Sequence, residues 1–407
     1  MDALDECTDK EPVSAFLSVL ARHLDDMRNV KFFITGRPED HIRAGFAIPE
    51  LRTKELSLHD VDSVEVELDI RSFVKTELKE IASRNQVCVD NSWPLEEDIM
   101  AITKKAGGLF IIASVLVRFV EDPRSSPQDH LRLIIKMIFE GKGKERIDGT
   151  YGQVLTGSFE VFDKGDSEFL EQLQLVMASI VLAFHPLSRA SLAGILGISS
   201  NRIWVVLRSL HSVLIVPDSD SELIRICHKS FADFLTDTQR CSDERFYIDG
   251  PSHHLRLGVF CLELMKRTLT KNICQLSPYV MNKDVKDLHT CREKWIGQSL
   301  AYGCGYWAKH LHMSTGARDD TGTAVTLVDE IFRIQFLSWL EVLSIEANLN
   351  GAIYSLKNVR SWLADVERSF PKNTQTRRSL VKKVLKSLGL KPELNQVRTH
   401  VAETFCC

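Results

Sequence analysis

Apolar residues recur at intervals of three and four along most of this chain, and a segment with that spacing buries a continuous stripe only if it is helical. Phe16, Leu17, Leu20, Leu24 and Met27 make one such stripe. The clearest strand is "VKFFIT", residues 30–35. Its apolar character, with aromatic and β-branched residues, predicts a strand covered on both faces, as in a parallel sheet flanked by helices. Residues 2–35 therefore read as an acidic strand end, a helix and a second buried strand, which is one α/β crossover unit. Only Met1 precedes Asp2, so the first strand is nearly absent.

A chain of 407 residues with 44% hydrophobic content has apolar surface enough for two or three domains. A formal charge of −4, from 51 basic and 55 acidic residues, gives no global electrostatic case for binding nucleic acid or an anionic membrane. No apolar run approaches the roughly 20 residues that span a bilayer, and the acidic start lacks the pattern of a signal peptide. The expectation is a soluble, cytoplasmic protein that does not engage membranes. Ten cysteines occur without CxxC or Cys/His ligand spacing. Cys227, Cys261 and Cys274 sit among apolar neighbours and are expected to be reduced core residues. His253 and His254 invite a metal reading, but adjacent helical positions point to different faces, which favours a core or surface role.

The first motifs carry a family resemblance. "DALDEC", then a helix, then "VKFFITGRPEDHI" resembles the second half of a NACHT-type nucleotide-binding domain, the signal-transduction ATPase class common in large fungal proteins. The resemblance implies that the acidic segment is a Walker B motif and that TxRP is sensor 1. By that resemblance Asp2 would organise a Mg²⁺ ion, Asp5 and Glu6 would hold and polarise the attacking water, and Arg37 would sense the γ-phosphate. The residue types suit those roles, since carboxylates at a parallel strand's carboxyl end face the ligand crevice and supply hard oxygens for Mg²⁺. Arginine supplies fixed donors for phosphate oxygens.

One departure from the family is large: no GxxxxGK[ST] phosphate loop occurs in the 407 residues. In the family that loop lies upstream of Walker B, and its backbone amides and lysine hold the phosphates. The carboxylates are thus expected to belong to a site whose other half is outside this chain, through truncation or because a separate chain supplies it. ATP or ADP with Mg²⁺ belongs to the intact family member, and the chain alone is expected to hold neither.

The resemblance continues to about residue 370. "HDVDSVEVELDIRSFVKTELKEIASR" reads as a strand and a helix, and "WPLEEDIMAITKKAGGLFIIASVLVRFVED" as two more helices. Gly107, Gly108, Leu109 and Phe110 occupy the place of the family's Gly-Leu-Pro-type turn against adenine, with Phe110 where proline would stand. The plain alternative is a glycine helix-to-helix turn. Further on come a long apolar helix, a helix started by Pro186-Leu187-Ser188, a third helix ending near Leu210, and a hairpin of "VLIVP" and "LIRIC" across "DSDSE". Helix, helix, helix and wing predict a winged helix. In related switch ATPases a winged-helix histidine contacts the β-phosphate of ADP, and His228 in "CHKSFADFL" matches it. The local alternative makes His228 part of a helix start, with Ser230 and Asp233 as caps.

The predicted fold class is mostly α: a partial nucleotide-binding domain (1–60), a small helical domain (61–150), a winged helix (151–245), a C-terminal helical domain (246–370) and a basic tail helix (371–407). In the tail, Leu380, Val381, Val384, Leu385 and Leu388 share one face, and the basic residues from Arg377 to Lys386 surround the other. No repeat period is visible, so the family's usual repeat sensor is not expected here. The expected function is part of a nucleotide-controlled switch that assembles with protein partners or with itself. A non-enzymatic helical scaffold is the alternative. A winged-helix DNA binder is third, because residues 187–240 carry six basic against five acidic side chains, near neutrality.

Overall fold

The computed structural model describes residues 1–7, 10–27, 30–48, 51, 53–55, 61–84, 93–122, 126–140, 146–159, 167–208, 210–277, 281–317, 321–369 and 381. These residues are mostly helical, and their one sheet is a two-stranded hairpin. None of the described helices is long and apolar enough to cross a membrane. The chain divides into two compact units, one ending at Phe73 and one beginning at Val74.

In the first unit, α1 (Lys10–His23) carries the expected apolar stripe and continues as a 3-10 turn through Met27. Leu17 and Leu20 are buried, and Phe16, Leu24 and Met27 pack at the margin. Helix α2 (Asp40–Phe46) lies so close to α1 that a Cβ on Gly45 would come within 2.3 Å of Leu17 Cδ1. The crossover reading of residues 2–35 is present in reduced form. The Met1 amine donates to the Phe33 carbonyl at 2.8 Å and Thr35 N–H donates to the Met1 carbonyl at 3.0 Å, the alternation of a parallel pairing. It extends no further as a regular ladder, because Ala3 takes a left-handed conformation (φ 52°) and Leu4–Glu6 coil into a 3-10 turn.

The buried-strand expectation for "VKFFIT" is corrected. The segment is extended, but Val30 and Phe32 are about half exposed and Phe33 is 79% exposed. Only Ile34 packs against the core residues of α1 and α2. An apolar run is compatible with two-sided cover, yet here helices cover one face alone. The expected strand in the segment before residue 84 is also corrected, since Ser63–Arg84 is one helix, α3, and Val64 and Leu68 are exposed on it.

The second unit starts with the remainder of α3, whose Val74, Leu78 and Ile81 are buried. The two expected helices follow as α4 (Glu96–Ala106) and α5 (Phe110–Val120), then α6 (Pro127–Glu140) and α7 (Arg146–Phe159). Next come α8 (Ser167–Val181), α9 (Arg189–Leu196) and α10 (Ser200–Arg208). Ser188 caps α9 by accepting from Ser191 N–H, the role its position after Pro186 suggested. A hairpin pairs β1 (Leu214–Ile215) with β2 (Arg225–Ile226), and Ser188 forms a further antiparallel bridge with Leu223. The hairpin follows the three helices in chain order, and no helix runs across Val213 to Ile226. Helix α11 (Lys229–Thr236) comes next.

The remaining helices are α12 (Gly250–Thr268), α13 (Leu288–Trp295), α14 (Gly297–Met313), α15 (Thr321–Glu330), α16 (Phe336–Ile345) and α17 (Leu349–Ser369). A π-helical turn, Ile331–Gln335, joins α15 to α16. Helices α12 and α14 form the most extensive helix pair, and α14 is also packed against α17 and α9. Trp307 and Trp339 meet edge to face, and the Trp339 indole donates to the Cys304 carbonyl at 2.9 Å. Cys241, Cys261, Cys274 and Cys304 are buried thiols, and no disulfide is found among the described residues. Burial pushes the Cys261 thiol up to about 12 and the Cys274 thiol up to about 11, which keeps both protonated and inert. Of the tail helix only Val381 is described, helical and buried; the rest of its expected face lies outside the described residues.

The α12–α14 crossing depends on Gly258. A Cβ there would stand 2.6 Å from Leu311 Cδ2, and Leu311 is wholly buried. Gly258→Ala is expected to destabilise the protein by about 1–3 kcal/mol through overpacking. Gly258→Ala with Leu311→Ala should cost less than the two single changes added. Urea unfolding of the three variants measures this, and strict additivity would show that the two positions do not crowd each other.

Candidate functional site

The parallel pairing at the start of the chain brings the acidic cluster against the Thr-Gly-Arg turn. Thr35 Oγ1 accepts from Ala3 N–H at 2.9 Å and donates to the Asp2 carboxylate in a short hydrogen bond. Asp5 is turned inward, only 9% exposed, and its Oδ1 accepts from Arg37 N–H at 3.0 Å. Its Oδ2 lies 3.6 Å from the Arg37 guanidinium. Asp2 with Thr35 and Asp5 with Arg37 thus form two neighbouring pairs, whereas Glu6 is exposed. Gly36 sits where a Cβ would stand 3.3 Å from Leu4 Cβ, which suits the close approach of the two segments. Thr35 was not singled out from the sequence as a site residue. Its place two positions before Arg37 in the TxRP motif was the signal for it.

Gly107–Phe110 form the turn between α4 and α5. Gly107 and Gly108 both have positive φ (54° and 86°), and Gly107 is the left-handed C-cap of α4, so glycine is required there for the chain to reverse. Leu109 and Phe110 are 43% and 45% exposed. The plain helix-to-helix turn accounts for the glycines.

His228 is the N-cap of α11. Its Nδ1 accepts from Ser230 N–H at 3.2 Å and from the Ser230 hydroxyl at 2.6 Å, and Ser230 Oγ in turn accepts from the Tyr151 hydroxyl at 2.8 Å. With Nδ1 accepting, the ring proton resides on Nε2. The local capping alternative therefore describes the Nδ1 edge. Tyr151 is itself buried between Phe231 and Phe234, so α7 and α11 are tied by both apolar and polar contact.

Several basic residues of the hairpin region are committed to carboxylates. Arg189 pairs with Asp220 and lies 4.3 Å over the Trp204 ring. Asp220 also accepts from Ser200 at 2.6 Å, and the Ser200 and Arg189 hydrogen bonds hold its carboxyl below the ordinary value. Arg202 pairs with Glu168 at 2.9 Å, and Arg240 makes a forked pair with Asp148 between α7 and the segment after α11.

A buried polar chain in the helical bundle has no local sequence signal. Phe184 N–H donates to Tyr302 Oη at 3.3 Å, Tyr302 Oη and His310 Nε2 are hydrogen-bonded at 2.8 Å, and His310 Nδ1 and His254 Nδ1 at 2.8 Å. Only one N–H fits between the two Nδ1 atoms, so the arrangement excludes a charge on both rings at once. The Phe184 ring stacks on His254 and lies 4.7 Å from His310. Burial raises the Tyr302 hydroxyl above its ordinary value. His254 is a core histidine as expected, but its partner is 56 residues away and no local pattern pointed to it. No group of three or more metal-ligating side chains occurs among the described residues.

Comparison with known proteins finds no relative: no family model, no curated protein and no solved structure matches this chain.

The buried pair makes stability depend on pH. Burial lowers His254 from 6.5 to about 4, and burial together with His254 and Lys309 lowers His310 well below 6.5. A histidine depressed in the folded state stabilises above its unfolded value and loses that contribution as pH falls towards the folded value. Between pH 7 and pH 5 the loss is expected to be about 2 kcal/mol from His254, with His310 acting in the same direction. Urea unfolding at the two pH values checks this, and the drop should shrink in His254→Leu. A wild-type stability equal at both values would contradict the assignment.

Proposed function

We propose that this chain is part of a nucleotide-controlled switch of the NACHT type, running from a Walker B segment through a winged helix to a helical bundle. The observation that supports this reading most is the parallel pairing of residues 1–4 with 33–35, which sets Asp2 and Asp5 beside the Thr-Gly-Arg turn. An exposed carboxylate joined to a threonine hydroxyl offers hard oxygens to a Mg²⁺ ion, and Arg37 offers donors to a terminal phosphate. Bound nucleotide with Mg²⁺ would supply the phosphoryl chemistry. Asp2 would hold the ion, Glu6 would orient a water, and Asp5 would act mainly by fixing the Arg37 turn through its two contacts.

By the family resemblance, Leu109 and Phe110 would meet the base and His228 a phosphate oxygen of the nucleotide. In such a switch the loss of the His228 contact would free the winged helix and favour assembly with protein partners. Binding to nucleic acid fits less well, since Arg189, Arg202 and Arg240 are paired with carboxylates instead of presented to a phosphate backbone. A non-enzymatic scaffold would use the same helical bundle but would give the Asp2–Thr35–Asp5–Arg37 set no role.

Because the 407 residues contain no phosphate loop, the chain by itself is expected to show neither ATPase activity nor micromolar ATP affinity. Calorimetric titration with Mg-ATP tests this; micromolar binding abolished by Asp2→Asn would show that a complete site exists without that loop. In a protein extended by a phosphate-loop half, His228→Ala is expected to speed ADP release about tenfold to a hundredfold, the loss of one charge-assisted contact. Unchanged ADP release in that variant would remove His228 from the nucleotide site.

A further inference from the structure

His211 stands between the ends of two helices, outside every site described above. Its Nε2 is 2.7 Å from the carbonyl oxygen of Arg118, in the last turn of α5. Its Nδ1 is 3.2 Å from the carbonyl oxygen of Arg208, the last residue of α10. Carbonyl oxygens only accept, so a neutral imidazole can satisfy one of these contacts and must turn a lone pair towards the other. The imidazolium satisfies both.

Carbonyls in the last turn of a helix lack intrahelical donors and carry the negative end of the helix dipole, and His211 meets two such ends at once. Asp122, whose side chain is fully buried, places Oδ2 3.7 Å from Nδ1. The contact is also reciprocal, because Arg118 Nε donates to the His211 carbonyl at 3.2 Å and Arg118 Nη2 donates to the Leu214 carbonyl at 3.1 Å. Among the described residues, the charged or titratable groups in contact with His211 are Asp122, just past α5, and Arg118 of α5, whose guanidinium is directed at the His211 and Leu214 carbonyls. Cys227, next to β2, lies within electrostatic reach of Arg118.

We propose that His211 is a proton-dependent clasp: as an imidazolium it caps the C-termini of α5 and α10 together and holds the hairpin against α5, and loss of the proton releases one of its two bonds. The device would make the attachment of the hairpin to the preceding helices respond to pH, independently of any nucleotide.

The test uses the whole chain. Nitrogen-resolved NMR of the His211 ring between about pH 5 and 8 should show both nitrogens protonated at the low end and one proton lost on raising the pH. Amide exchange at Leu214 and Cys227, corrected for its intrinsic base catalysis, should lose about tenfold in protection across the same transition, as expected for one charged hydrogen bond. His211→Gln should show the weaker protection at every pH. If that variant does not fold, the wild-type titration decides alone. A single neutral tautomer over the whole range, or hairpin protection that does not change when the ring loses its proton, would overturn the proposal.

Discussion

The second unit depends on the crossing of α12 with α14. Close approach there is permitted by Gly258, and it lets helices α9, α15, α16 and α17 pack around or beside the pair. Interiors packed to crystal-like density leave little room to adjust, so a contact set by the absence of one side chain is stiff. The same crossing creates a polar obligation. His254 and His310 are brought face to face in the core, and Tyr302 and the Phe184 backbone complete their hydrogen bonding. Satisfied in this way, the chain of donors specifies one register of α12 on α14 and ties both helices to the segment that leads into the hairpin.

The hairpin region is held by a different kind of interaction. Asp220, in the turn of the hairpin, receives Arg189 from α9 and Ser200 from α10, while its carbonyl accepts from Ala190 N–H at 2.9 Å. One exposed turn thus anchors the starts of two helices. On the opposite side Arg118 and His211 exchange side-chain to carbonyl bonds, and Arg240 is forked onto Asp148. Arg189, Arg118 and Arg240 are thus part of the structure's own connections.

In the first unit the short parallel pairing, with one additional core side chain from Ile34, holds the acidic turn beside the arginine turn. The pairing is too brief to make a sheet, yet it fixes the relative position of Asp2, Thr35, Asp5 and Arg37. A proposed nucleotide role rests on that arrangement of oxygens and guanidinium, not on the extent of the sheet.

From the sequence alone, the helical class, the capped start of α9 at Ser188, the glycine turn after α4 and the hairpin across "DSDSE" could be read, since periodicity, caps and turn residues are local signals. The proximity of the acidic cluster to Arg37 was legible only through the resemblance of its motifs to a known family. Tertiary structure alone decided that "VKFFIT" is covered on one face, because an apolar run records that burial is possible and not which neighbours supply it. It also decided that the segment after Val61 is helix and not strand. The meeting of His254 with His310 and of His211 with Arg118, 56 and 93 residues apart, was likewise a tertiary outcome. Such pairs depend on how finished helices cross, and a one-dimensional pattern carries the period of each helix but not the distance between two of them.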